Sequence, residues 1–182
     1  APPQPTPGQP GKDVVWVPTP DHLVELAQRN AAAAGLSDQA RFIEGDMYEA
    51  NIAGASVLAL FLLPENLNKL VPKFLDMAPG SRIVSNTFAI DGWMPDGGSS
   101  EMNCAAWCTA LLWIVPAKVA GTWQTPDGLL TLTQEFQMIA GTLGATLVTG
   151  KLNGDQITFK AGEKEYTGKV AGDRIDGVGW TA

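Results

Sequence analysis

Phe42-Ile43-Glu44-Gly45-Asp46-Met47 is a short β-prone run that breaks at a glycine and then presents one carboxylate. Helical and strand-like segments alternate on either side of it, which predicts an α/β chain. In such chains ligands gather where the strands end in loops. Asp46 therefore has two readings. It is a carboxylate that accepts hydrogen bonds from a bound ligand while Gly45 lets the backbone come close, or it is a turn residue that caps the next segment.

Working outward, an N-terminal strand over Val14 to Val17 is closed by Pro18. Thr19-Pro20-Asp21 then supplies a capping side chain, a proline for the first helical turn and an acid beside it. Leu23, Leu26, Ala27, Asn30, Ala31 and Ala34 share one face of the helix this predicts, which stops at Gly35. His22, the single histidine, falls in the first turn and reads as a surface residue. Beyond the opening stretch, Val57 to Leu63 is a continuous apolar run, the pattern of a parallel strand covered on both faces. A helix follows with Leu67, Leu70, Val71, Phe74, Leu75 and Ala78 at helical spacing, and Pro72 is expected to kink it or delay its start. Arg82 to Phe88 forms the third strand of an open, mostly parallel sheet. Asp91 to Met102 reads as a long surface loop, and Leu111 to Val115 as a further buried strand.

Composition changes after Lys118, since eleven of the twenty glycines fall in the final 64 residues. Helical periodicity ends there. Leu130, Leu132, Phe136 and Met138 alternate with polar residues, and Gly150-Lys151-Leu152-Asn153-Gly154-Asp155-Gln156-Ile157 is echoed eighteen residues later by Gly168 to Ile175. Strands joined by Gly-Asp turns predict an antiparallel β-meander or small barrel. Trp123, Phe136, Phe159, Tyr166 and Trp180 are expected in its core. The expected domains are a proline-rich arm over residues 1–13, an α/β domain over 14–118 and an antiparallel β domain over 119–182.

Twelve basic against nineteen acidic residues give a net charge of −7 with no basic block, so nucleic acid and anionic membranes are not expected as partners. The longest apolar run is too short for a membrane-spanning helix. Ala1 to Gly11 reads as the tail left by a signal peptidase, which favours a periplasmic or secreted location, or else as a trimmed start. Cys104 and Cys108 are the only cysteines and cannot complete a four-ligand zinc site. They form a local disulfide in an exported chain and remain buried thiols in a cytosolic one. With one histidine, no Gly-x-Ser-x-Gly and no phosphate-binding loop, hydrolase triads and nucleotide hydrolysis have no support.

Leu23 to Asn30, Ala34-Gly35-Leu36, Arg41 to Met47, Phe61-Leu62-Leu63-Pro64 and Pro79 to Ser85, in that order, resemble the middle and later blocks of class I S-adenosylmethionine-dependent methyltransferases. Within them the nearest likeness is to a bacterial group related to small protein-lysine methyltransferases. Trp107 to Pro116 is similar to the same group, which carries a β-rich tail and often an export signal. The resemblance implies a partial Rossmann-like sheet followed by a small antiparallel β domain, with S-adenosylmethionine as cofactor. It places Asp46 at the adenine amine and Met47 against the ring, with Gly45 beside them. It implies Phe61 and Leu62 as further cofactor-binding residues, with the loop after the strand matching Val57 to Leu63 lining the transfer site. It also implies an omission: the family's D-x-G-x-G-x-G strand-loop-helix, and the acidic residue that follows it, have no counterpart here. Val14 to Asp21 matches the segment that precedes that motif, as if an internal deletion had joined two similar stretches near Pro20-Asp21. Without the missing strand, Val14 to Val17 or a second copy of the chain is needed to cover the sheet.

Overall fold

The protein was analysed as a computed structural model, which describes residues 13–17, 21–101 and 104–182. Residues 1–12 of the expected 1–13 arm, the helix-start residues 18–20 and the side chain of His22 lie outside the described residues, and Asp13 belongs to the first strand. The chain divides into two compact units, residues 1–55 and 56–182.

The first unit is a single β-α-β turn of chain. Strand β1 (Asp13–Val17) pairs in parallel with β2 (Ala40–Glu44), placing Val15 opposite Phe42 and Val17 opposite Glu44. Val14 to Val17 thus covers one edge of β2. Helix α1 (Asp21–Ala33) makes the crossover that a parallel pair requires. Gly35 caps it at φ +71°, a conformation that costs glycine little. The face it buries is displaced from the expected one. Val24 and Ala31 are buried, whereas Leu23 and Leu26 are 36% and 44% exposed.

In the second unit, β3 (Val57–Leu60), α2 (Pro64–Leu75) and β4 (Arg82–Asn86) form another parallel crossover. Pro64 opens α2, where its missing N–H is harmless, and Leu67, Leu70 and Phe74 are its buried residues. Pro72 lies inside the helix and neither delays its start nor ends it. Strands β5 (Gly97–Ser100) and β6 (Thr109–Ile114) then add antiparallel, giving the order β3-β4-β6-β5. The expected long loop from Asp91 to Met102 therefore contains an edge strand, and Trp93 within it is 1% exposed. Glycine is what this strand requires: a Cβ at Gly98 would lie 2.8 Å from the Ala110 carbonyl oxygen. Within this unit, and among the described residues, strand β3 is covered on one face. Leu58 and Leu60 are half-buried, but Val57 is 50% exposed and Ala59 is exposed beside it.

The remaining eight strands are an antiparallel meander. They run β7 (Gly121–Thr125), β8 (Gly128–Glu135), β9 (Met138–Leu143), β10 (Thr146–Asn153), β11 (Gln156–Ala161), β12 (Lys164–Ala171), β13 (Arg174–Gly177) and β14 (Trp180–Thr181). Two-residue turns join neighbours. Gly144, Gly154, Gly162 and Gly172 open four of them at φ +56° to +63°, which fits the right-handed twist of the flanking strands. Leu130, Leu132, Ile139, Val148, Leu152, Ile157, Phe159, Val170 and Ile175 all enter one core. The sheet curls around it, because Asp127 in the β7–β8 turn reaches Lys164 and Tyr166 on β12. Phe159 and Tyr166 stack there with ring centroids 4.8 Å apart, and Trp180 meets both edge to face at 5.7 Å. Phe136 and Met138 depart from the expected alternation. The turn Phe136-Gln137 reverses it, so Met138 is 55% exposed and Gln137 is buried.

The meander begins after Lys118, but the two sheets of this unit are tied together. Phe136 stacks on Trp93 at 5.1 Å, Gln137 Nε2 donates to the Met94 carbonyl at 2.8 Å, and the Ala117 N–H donates to the Gly154 carbonyl at 2.8 Å. At Gly154 an added Cβ would sit 2.9 Å from Gly80 Cα, so the turn rests directly on the other sheet's backbone.

Candidate cofactor site and comparisons with known proteins

The expected site residues fall into two groups, one in each unit. Gly45, Asp46 and Met47 follow the end of β2. Asp46 Oδ1 accepts from the Tyr48 N–H at 2.8 Å, and its carbonyl accepts from Glu49 and Ala50 N–H at 3.1 and 3.0 Å. One carboxylate oxygen is therefore committed to capping its own turn, the second of the two sequence readings. Asp46 and Gly45 are exposed and Met47 is half-buried.

Phe61 and Leu62 follow the end of β3. Phe61 is 62% exposed, and Leu62 is half-buried. Phe61 has company that sequence reasoning did not assign to a site. Its ring lies 5.3 Å from that of Trp107, which lies 5.9 Å from Phe88. Cys104 and Cys108 form a disulfide with Cα atoms 5.7 Å apart, and Trp107 sits inside the loop it closes. The available signal was that spacing, two cysteines bracketing a tryptophan.

A separate groove of about 310 Å³ lies between the end of α2 and the meander, lined by Leu75, Met77, Pro79, Pro116 and Val170. The Lys118–Asp76 ion pair, 2.5 Å long, borders it. Both side chains are about 70% exposed, so water screens the pair and it contributes little. Among the described residues no group of three or more His, Cys, Asp or Glu comes together as metal ligands.

A family model for the ANTKMT methyltransferase domain matches residues 8–97. A protein-lysine N-methyltransferase of Saccharolobus islandicus is 34% identical over 85 residues, 46% of this chain and 53% of that protein. The chain thus spans about half the length of this curated relative. An RNA methyltransferase from Salinibacter ruber, solved in complex with S-adenosyl-L-homocysteine, is 35% identical with a TM-score of 0.54. The match covers 59% of this chain and 68% of that one. Fold and sequence agree in these matches, and the chain belongs to the class I S-adenosylmethionine-dependent methyltransferase family.

Proposed function

We propose that the chain is a methyltransferase derivative whose S-adenosylmethionine site is incomplete, so that it does not take up the cofactor at micromolar concentration by itself. The observation that carries this is the join between β1 and α1. Pro18-Thr19-Pro20 stands there, without a glycine, where the family's cofactor is held by a glycine-rich strand-loop-helix. A ring-locked backbone cannot make the close approach that glycines permit. Asp46 remains for the adenine side, with one oxygen already bonded within its turn. The residues present do not fit the whole cofactor.

The magnitude follows from contact number. A ligand of this size at ~0.3 kcal/mol per heavy atom gains roughly 8 kcal/mol, a micromolar site. Losing about half of those contacts leaves roughly 4 kcal/mol, which is millimolar. Calorimetric titration with S-adenosylmethionine and with S-adenosylhomocysteine is expected to show no micromolar binding. A micromolar dissociation constant refutes the proposal, and sedimentation of the same sample tells whether a second copy supplies the missing half. Such a dimer is proposed as the alternative cover for β3, which ends its sheet with Val57 half exposed.

The second reading is an exported, non-enzymatic binding protein acting through its β domain. The Cys104–Cys108 disulfide favours it, since such bonds persist in oxidising compartments while the cofactor is made in the cytoplasm. The net charge of −7 argues against nucleic acid or an anionic membrane as its partner. If the cofactor does bind, the relatives' names point to an acceptor on protein lysine or RNA.

A further inference from the structure

We propose that Phe61, Phe88 and Trp107 form a binding site for a methylated ammonium group, one that needs no S-adenosylmethionine. All three belong to the second compact unit. They come from neighbouring strand ends: Phe61 directly follows β3, Phe88 lies two residues after β4, and Trp107 lies two residues before β6. The strands are in register there, with Leu60 opposite Ser85 and Asn86 opposite Ala110.

The rings form a corner rather than a packed core. The Trp107 indole is shared, meeting Phe61 at 74° and Phe88 at 55°. Rings that meet edge to face leave other faces uncovered by each other. Phe61 is 62% exposed and Trp107 is 56% exposed, so this apolar surface is held open to solvent.

The backbone maintains the arrangement at a cost. Trp107 has φ +60° and Thr87, next to Phe88, has φ +70°. Neither is glycine, and the left-handed region is disfavoured for both. The Cys104–Cys108 disulfide closes a short loop around Trp107, and two contacts anchor its base. Glu101 N–H donates to the Cys108 carbonyl at 3.0 Å, and the Ser100 and Thr109 hydroxyls lie 3.3 Å apart.

Aromatic faces attract cations placed within about 6 Å of a ring centroid. The chain's charge of −7 favours cations over anions, and Glu101 carries a carboxylate in the register beside Cys108. The rings themselves provide no hydrogen-bond acceptor. A primary ammonium would lose water bonds there without replacement, whereas a fully methylated ammonium has no N–H to satisfy. The trio therefore favours the quaternary form, and Phe61, Phe88 and Trp107 are its binding residues.

Choline and its uncharged carbon isostere, 3,3-dimethylbutan-1-ol, test this on the full, oxidised chain by following the backbone amide resonances of Glu101 and Thr109, which flank the loop and are present in every variant. Choline is expected to bind about tenfold more tightly than the isostere. Trp107→Ala should abolish choline binding with the thermal midpoint kept. Phe61→Leu, which preserves apolar area and removes a ring, should erase the preference for the cation. Equal affinity for the two compounds means an apolar patch and overturns the proposal. So does choline binding that survives both substitutions, or no choline binding at about 50 mM, above the millimolar range of a weak site.

Discussion

Removing the Ser85 hydroxyl is expected to stabilise the protein. Ser85 lies in β4 with no exposed surface, opposite Leu60 on one side and Leu111 on the other. Ile83 and Trp113, which share its face of the sheet, are also fully buried. Among the described residues the Ser85 Oγ has no hydrogen-bond partner. An unpaired buried hydroxyl costs about 1–3 kcal/mol, and Ser85→Ala gives that back less the contacts of one small atom. The net gain is about 1 kcal/mol. For a chain of this length it corresponds to a rise in thermal midpoint of roughly 2–4 °C. Urea unfolding followed by tryptophan fluorescence checks it: the midpoint should rise with the slope unchanged, the mark of altered stability rather than an altered unfolded state. A midpoint lowered by Ser85→Ala would show that the hydroxyl is bonded in solution and would sink this reasoning.

Two further expectations concern the β domain. A Cβ at Gly150 would run into the Thr158 carbonyl oxygen and sit 2.6 Å from Phe159 Cα. At Gly168, eighteen residues on, the nearest atom is Ile175 Cγ2 at 3.0 Å. Gly150→Ala should thus cost roughly 3 kcal/mol in denaturant unfolding and Gly168→Ala distinctly less, whereas equal losses would contradict the close-approach explanation. Hydrogen bonds from Lys164 and then Tyr166 hold the Asp127 carboxyl below its ordinary value of 3.8, while Asp127 raises Lys164 above 10.5. A depressed acid contributes stability that is complete above its unfolded value and is lost as pH falls through its folded one. A raised base contributes below its unfolded value and loses this as pH rises through its folded one. Asp127→Asn should therefore flatten the thermal midpoint's decline below pH 4 and above pH 10, and unaltered acid and alkaline limbs would count against the cluster.

Local signals in the sequence located most elements. Glycine at 35 marked a helix end through backbone geometry alone, and the Gly-Asp pairs at 154–155 and 172–173 fell on hairpin turns. What depended on neighbours was harder to read. Val57 to Leu63 has the composition of a strand buried on both faces, yet Val57, Ala59, Phe61 and Leu63 are exposed, because apolarity reports what a strand is suited to cover and not what covers it. Gly97 to Ser100 looked like loop, since glycine fits a strand only where another backbone comes close. Phe136 occupies a left-handed turn position usually left to glycine, so its register reversal had no local signature. At the candidate site, Asp46 was legible as a carboxylate after a strand. The aromatic corner was not, because Phe61, Phe88 and Trp107 lie far apart along the chain and meet only through sheet register.

The two echoed turns, eighteen residues apart, carry different duties. Gly154 and Gly172 have nearly the same backbone, φ +61° and +63°. Yet Gly154 is pressed against Gly80, whereas an added Cβ at Gly172 meets no described atom within 4 Å. One turn is a foothold on the neighbouring sheet, and its counterpart eighteen residues on is not. Insertions at the second turn should then be tolerated while those at the first separate the sheets. The barrel thus has a fixed rim position and a variable one, and new loops can accumulate at Gly172-Asp173 without the rest of the fold having to change.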